Sequence, residues 1–258
     1  MKILILLFPF ILVACSSRGG SFAPTGKKQF VYQDTTGTYL IERDTKMVKT
    51  KLVTRYQISL PNDQNKKPLE KSIVVAEKGM VKTKKGSQIA LRPMMSQYTV
   101  WLEGKKYYTQ LKTLVKQKSL EITMDSPESR WKGRKVVRFP KGINFCYFSQ
   151  IAECIAHSGI LNKIISRPHT KVPVTVIWDN YPYLLEQFTN IQDSVFVNAE
   201  VYLDEEEKKL YRVSVDLSGQ SIFYHFSKKG ELVKMSWVGQ GVTIMSPSEA
   251  ARLSSDSE

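Results

Sequence analysis

Cysteine and histidine are scarce in this chain, three of each among 258 residues, and the scarcity removes the commonest routes to metal and nucleophilic chemistry. His157, His169 and His225 lie 12 and 56 residues apart, spacings that belong to no zinc site and to no helix-borne histidine pair. There is no Gly-x-Ser-x-Gly nucleophile elbow, no phosphate-binding loop and no paired-carboxylate motif beyond the acidic turn Asp204 to Glu207. Gly239-Gln240-Gly241 reads as a turn, not a phosphate cradle. The expectation is a non-catalytic protein without a cofactor or metal. A wall or lipid hydrolase, its site assembled from distant residues, is the alternative that motif reading leaves open. Long apolar runs are lacking as well: Ile3 to Leu12 is about half of the ~20 residues that a membrane-spanning helix needs.

That short run is informative through its flanks. Lys2 supplies a positive start, Ile3 to Leu12 the apolar core of a secretion signal, and Leu12-Val13-Ala14-Cys15 closes it with a small residue before a cysteine. These four residues closely resemble the lipobox of bacterial lipoproteins. The resemblance implies removal of residues 1–14, a diacylglyceryl group on the Cys15 sulfur and acylation of the new amino terminus. At about 0.8 kcal/mol per buried methylene, three acyl chains would anchor the protein permanently. Residues 15–27 begin with Cys15 and continue as Ser16-Ser17-Arg18-Gly19-Gly20-Ser21, which cannot bury apolar surface and reads as a flexible tether. Aspartate after the lipidated cysteine usually marks inner-membrane retention in this family. Ser16 in that place implies the outer membrane, with the body in the periplasm or displayed on the cell surface. An ordinary cleaved signal with a coincidental cysteine is the competing reading.

Negative charge is in deficit, 24 Asp and Glu against 38 Lys and Arg, for a net charge of +14. Much of the excess comes as pairs at predicted turns: Lys66-Lys67, Lys84-Lys85, Lys105-Lys106 and Lys228-Lys229. Such pairs solvate turns and protect sheet edges. They also attract polyanions, and an exported protein does not meet nucleic acid. The anions left are phospholipid head groups, lipopolysaccharide phosphates and acidic wall polymers.

From residue 28 to 246 the chain reads as one antiparallel β domain. Short runs rich in Val, Ile, Thr, Tyr and Phe alternate with turn residues. Strands are predicted over 29–34, 38–43, 51–60, 80–83, 88–91, 96–102, 106–115, 120–124 and 134–139. The last third alternates most cleanly: Val195, Val197, Ala199, Val201 and Leu203 share one face, and the pattern returns at Tyr211 to Leu217, Ile222 to Phe226, Val233 to Trp237 and Val242 to Ile244. This alternation sets His225 opposite Tyr224 and Phe226, on a wet face. Residues 247–258 are small, polar and acidic, and are expected to fray.

One segment breaks the period of two. Phe148, Ile151, Ala152, Ile155, Ile160, Leu161, Ile164 and Ile165 recur at intervals of three and four, which predicts helix over 148–166, with Gly159 positioned to kink or divide it. The segment is expected to cover the open face of a curved sheet. Cys146 and Cys154 flank its start. In one continuous helix they would stand ~12 Å apart, beyond disulfide reach, so a bridge requires Cys146 to precede the helix and fold back. A bridge and two buried thiols are both compatible with the sequence.

The predicted architecture is a mainly β fold: a single curved antiparallel sheet or incomplete barrel with one helical segment packed on it, a β-sandwich being the alternative. With the lipobox and the strand meander, this outline resembles the half-barrels of Lol-type lipoprotein carriers and related envelope lipoproteins. Tyr98, Trp101, Tyr107, Tyr108, Phe145, Tyr147, Phe148, Trp178, Tyr181, Tyr183 and Phe188 are candidates to line an apolar interior, or else pack as ordinary core. The resemblance implies a module that binds or shuttles a lipid or acyl-chain ligand. The second reading is a structural or assembly lipoprotein with a packed interior, docked to the cell wall or to an envelope protein through its basic surface or an open strand edge.

Overall fold

The computed structural model describes residues 30–33, 39–60, 67–83, 86–142, 144–183 and 194–245. Cys15 with its signal and tether, Phe188 and the tail 247–258 lie outside the described residues. The fold is mainly β with a short helical segment, and its strands are divided between two sheets, one of them curled into a half-barrel.

The first sheet takes its strands in chain order: β1 (Phe30–Gln33), β2 (Leu40–Val48), β3 (Lys51–Ser59), β4 (Pro68–Thr83), β5 (Gly86–Leu102), β6 (Lys105–Leu114), β7 (Ser119–Asp125) and β8 (Gly133–Arg138). Every neighbouring pair is antiparallel. The short strands predicted at 80–83 and 88–91 are the ends of much longer ones, since β4 runs 16 residues and β5 17. Sequence alternation fails inside β5 for a local reason. Val75 faces Met95 while Ala76 faces Pro93, so Met94 is an inserted residue. Such a bulge interrupts the ladder, where a proline without an amide proton is tolerated.

The second sheet holds β9 (Phe145–Tyr147), β10 (Val172–Ile177), β11 (Phe196–Glu206), β12 (Leu210–Leu217), β13 (Gln220–Ser227), β14 (Leu232–Trp237) and β15 (Val242–Met245), ordered from β15 to β9. All pairs are antiparallel except β9 with β10, which run parallel. Parallel neighbours need a crossover, and the helical segment supplies it as α1 (Ile151–His157) and α2 (Ile160–Ser166). Gly159, at φ 80°, divides the two, a left-handed conformation that glycine adopts without steric cost. The helical segment is therefore the connection that builds the second sheet as well as a cover. Strand β10, Val-Pro-Val-Thr-Val-Ile, was absent from the sequence reading because five of its six residues are buried, and a strand wet on neither face carries no period of two.

The two sheets and both helices share one core. Leu52, Val74, Leu111, Leu120 and Ile122 come from the first sheet, Val174, Val176, Val201, Val215 and Ile222 from the second, and Ile151, Ile155, Ile160, Leu161 and Ile164 from the helices. Helix α1 touches β5 and β9, and α2 touches β11. Burying each large aliphatic side chain contributes about 1.5–3 kcal/mol, which explains why so short a helical pair stays folded between the layers.

Cys146 on β9 and Cys154 on α1 are bonded to each other, their Cα atoms 5.9 Å apart. The chain reverses through the single turn at Phe148–Gln150, which lets a cysteine before the helix reach back to it. The bridge closes a loop worth about 2–3 kcal/mol by chain entropy. Alkylation of the denatured, unreduced protein is expected to label neither cysteine, and reduction to lower Tm by several degrees.

Candidate functional site

The inner face of the first sheet is mostly apolar where the helices lie on it and mixes polar with aromatic residues beyond them. Register defines the change. One row across the sheet reads Thr54, Val74, Ser96, Leu111 and Ile122; the next reads Tyr56, Ser72, Tyr98, Thr109 and Met124. Glu70 precedes Ser72 by two positions on β4, hence on the same face. Ser72, Ser96, Tyr98 and Thr109 are all buried.

Two segments of the second half of the chain meet these rows. The end of β9 and the turn before α1 bring Tyr147, Ser149 and Gln150, and the stretch after β10 brings Asp179, Asn180 and Tyr183. The Gln150 amide nitrogen lies within hydrogen-bond distance of three acceptors, Leu52 O at 3.3 Å, Thr54 Oγ1 at 3.1 Å and Val74 O at 3.0 Å. It thereby clips the crossover to β3 and β4. Ser149 N donates to Asp179 Oδ1 at 3.0 Å, and Ser96 Oγ donates to Asp179 O at 3.4 Å. Tyr98 Oη donates to Glu70 Oε2 at 2.9 Å.

The outcome is a buried polar seam with two carboxyl groups. Burial pushes the Asp179 carboxyl up to about 6, against the lowering effect of the Ser149 hydrogen bonds. Desolvation also raises Glu70, opposed by the Tyr98 hydrogen bond. Tyr56 and Tyr98 are raised well above the usual phenol range, first by desolvation and then by the nearby Glu70 and Asp179 carboxylates. Asp179 Oδ2 is buried without a hydrogen-bond partner among the described residues. Both carboxyls thus keep their protons to higher pH than solvated carboxyls do.

A second buried charge cluster joins α1 to the first sheet. Arg43 on β2 grips Glu153 through both terminal nitrogens, at 2.5 Å each, and also donates to Ser149 O at 3.1 Å; Thr45 Oγ1 donates to Glu153 Oε1 at 3.3 Å. Arg43 and Glu153 keep only 14% and 9% of their side-chain surface exposed.

The aromatic candidates separate into different places. Tyr98, Tyr107 and Tyr183 form a small core with Val100, against which Tyr56 and Trp131 pack. Their hydroxyls are committed: Tyr107 Oη donates to Glu128 at 3.0 Å and Tyr183 Oη to Tyr108 O at 3.0 Å. Phe148 packs on Trp178 and Trp237, and Phe145 on Phe139. Tyr147 is buried with a raised hydroxyl pKa, and Tyr181 is buried with Lys135 on its ring and hydroxyl. Trp101 and Tyr108 instead lie under the Lys71 and Lys106 ammonium groups.

The histidines are scattered, as their spacing implied. His157 ends α1, its pKa lowered first by burial. His169 lies between α2 and β10 at φ 68°. His225 faces away from the core on β13, in a row with Arg212 and Lys234. Among the described residues no three His, Cys, Asp or Glu side chains cluster to hold a metal. Asp204, Glu205 and Glu206, read from the sequence as a turn, are the last residues of β11, and they are ion-paired: Asp204 and Glu205 hold Arg212, and Glu206 holds Lys228.

Motif reading missed Glu70, Glu153 and Asp179. A signal was present, since Glu153 stands in Ile-Ala-Glu-Cys-Ile-Ala and Asp179 follows Val-Thr-Val-Ile-Trp. An acid inside an apolar run is either misplaced or paired.

Together these features define a mainly β class of protein: two sheets around a disulfide-tied helical crossover, with a polar seam at one end of the shared interior. No family model, curated protein or solved structure matches the chain.

Proposed function

We propose that this chain is a lipid-anchored protein of the bacterial cell envelope that works by binding rather than catalysis, and that its body docks to an envelope partner. The address rests on the likeness of Leu12-Val13-Ala14-Cys15 to a lipobox, and Ser16 favours the outer membrane with a periplasmic body. Between carrying a lipid and docking, one observation supports the preference for docking. The space between the sheets is occupied by Ile151, Ile155, Ile160, Leu161 and Ile164, and beyond the helices the inner face is filled by buried polar residues and by the packed Tyr98, Val100, Tyr107 and Tyr183. An acyl-chain carrier needs an apolar hollow there. The basic excess suits a partner with acidic groups, in the wall or on another envelope protein.

The test is fractionation followed by mass spectrometry of the full-length lipoprotein in detergent. Cys15→Ala is expected to move the protein from the membrane to the soluble fraction; retention of this variant on the membrane would remove the anchor. Organic extraction of the wild type is expected to yield no stoichiometric lipid besides the covalent anchor, and crosslinking in intact envelopes to trap a discrete partner. A phospholipid or fatty acid recovered at about one per chain would replace docking with the carrier role.

A further inference from the structure

We propose that the outer face of the second sheet carries a binding site for a phosphate ester, at the Lys234 end of a groove formed by Arg212, Phe223, His225, Lys234 and Ser236. The groove has a volume of about 340 Å³. It exists because of register. Arg212 stands opposite His225 and His225 opposite Lys234, while the neighbouring row sets Phe223 opposite Ser236. The alternating partners Val213, Tyr224 and Phe226 are turned into the core, so all five groove residues share the outer face.

Three side chains able to carry positive charge in one cross-strand row oppose one another, which costs a few tenths to about 1 kcal/mol per like-charged pair. The two ends of the row are treated differently. Arg212 is held by Asp204 at 2.5 Å and Glu205 at 2.8 Å, with its guanidinium 5.7 Å from the Phe223 ring centroid. Its charge is compensated and its plane is fixed beside an aromatic floor. Lys234 makes no ion pair among the described residues. Two positions along the same strand, on the same face, Ser236 offers a hydroxyl 3.4 Å from that of Thr243. An ammonium, a neighbouring imidazole and a hydroxyl lining one groove suit a multidentate anion, and a phosphate has the oxygens to meet them. Phe223 then takes the glycerol or hydrocarbon part of the ester. The phosphate can come from a lipid head group or from a soluble ester. The inference stands on the groove alone and does not depend on the docking role.

The experiment is a calorimetric titration of the full-length protein in an uncharged detergent with glycerol 1-phosphate, with dihexanoyl phosphatidylglycerol below its micelle concentration, and with glycerol as the uncharged control. Saturable binding of at least one phosphate and none of glycerol is expected. Preference for the phosphatidylglycerol assigns the site to a lipid head group, and equal affinity assigns it to the phosphate itself; both uphold the site. Lys234→Glu is expected to weaken binding about tenfold or more, and Ser236→Ala to weaken it a few-fold, with Tm unchanged in both. Lys112→Glu, on an exposed position of β6, is expected to leave affinity intact. Absence of saturable phosphate binding, or equal losses in Lys234→Glu and Lys112→Glu, overturns the proposal.

Discussion

Glu153→Ala is expected to cost the folded body about 3–5 kcal/mol, read as a fall in Tm of about 10 °C or more. The carboxylate sits in the first turn of α1 and receives both terminal nitrogens of Arg43 and the hydroxyl of Thr45. Removing it leaves a guanidinium nearly out of water and deprived of its counter-charge, which is costlier than the loss of the attraction itself. The position magnifies the effect. The pair is the charged clasp between the crossover and the first sheet, and Gln150, three residues earlier, is the neutral one. A double variant, Arg43→Met with Glu153→Leu, removes both charges while keeping volume and is expected to regain most of the loss. Urea denaturation of the three proteins checks this. A loss below about 1 kcal/mol in Glu153→Ala would class the pair with surface ion pairs, which contribute little.

How much of this was legible beforehand follows from which residues report their surroundings locally. Strands wet on one face were readable, because Val197, Ala199 and Val201 are buried and alternate with the exposed Asn198 and Glu200. The helical segment was readable by its period of three and four, and even its division at Gly159. Strand β10 was not, since burial on both faces erases the alternation. The first half of β4 was missed for a related reason: its inner face runs Glu70, Ser72, Val74, Ala76, polar at one end and apolar at the other. The division into two sheets was equally hidden. It depends on β9, three residues long and paired with β10 across the whole α1–α2 crossover. The polar seam joins β3, β4, β5, the turn before α1 and the stretch after β10. No local spacing brings those five together; only the tertiary fold does.

The wild-type protein is expected to lose stability as pH rises from about 4 to about 6, and Asp179→Asn to remove much of that loss. The sign follows from proton counting. In the unfolded chain an aspartate releases its proton near pH ~3.9, whereas burial in the fold holds the Asp179 carboxyl up to about 6. Between those values the folded state binds more protons than the unfolded state, so stability decreases with pH. The stabilisation is complete below the unfolded value and gone above the folded one. Two units correspond to about 3 kcal/mol. Glu70, raised by desolvation, contributes in the same direction and remains in the variant, leaving a shallower slope. Tyr56 and Tyr98, raised well above the phenol range, stay neutral throughout this interval and add nothing to it. Asparagine preserves the acceptor for Ser149 N and carries no charge at any pH. The stability difference between Asp179→Asn and wild type should therefore shift in favour of the variant by about 3 kcal/mol between pH 4 and pH 7, measured from urea midpoints at each pH. Parallel profiles for the two proteins would mean that Asp179 is as well solvated folded as unfolded, and the buried seam would lose its titrating group.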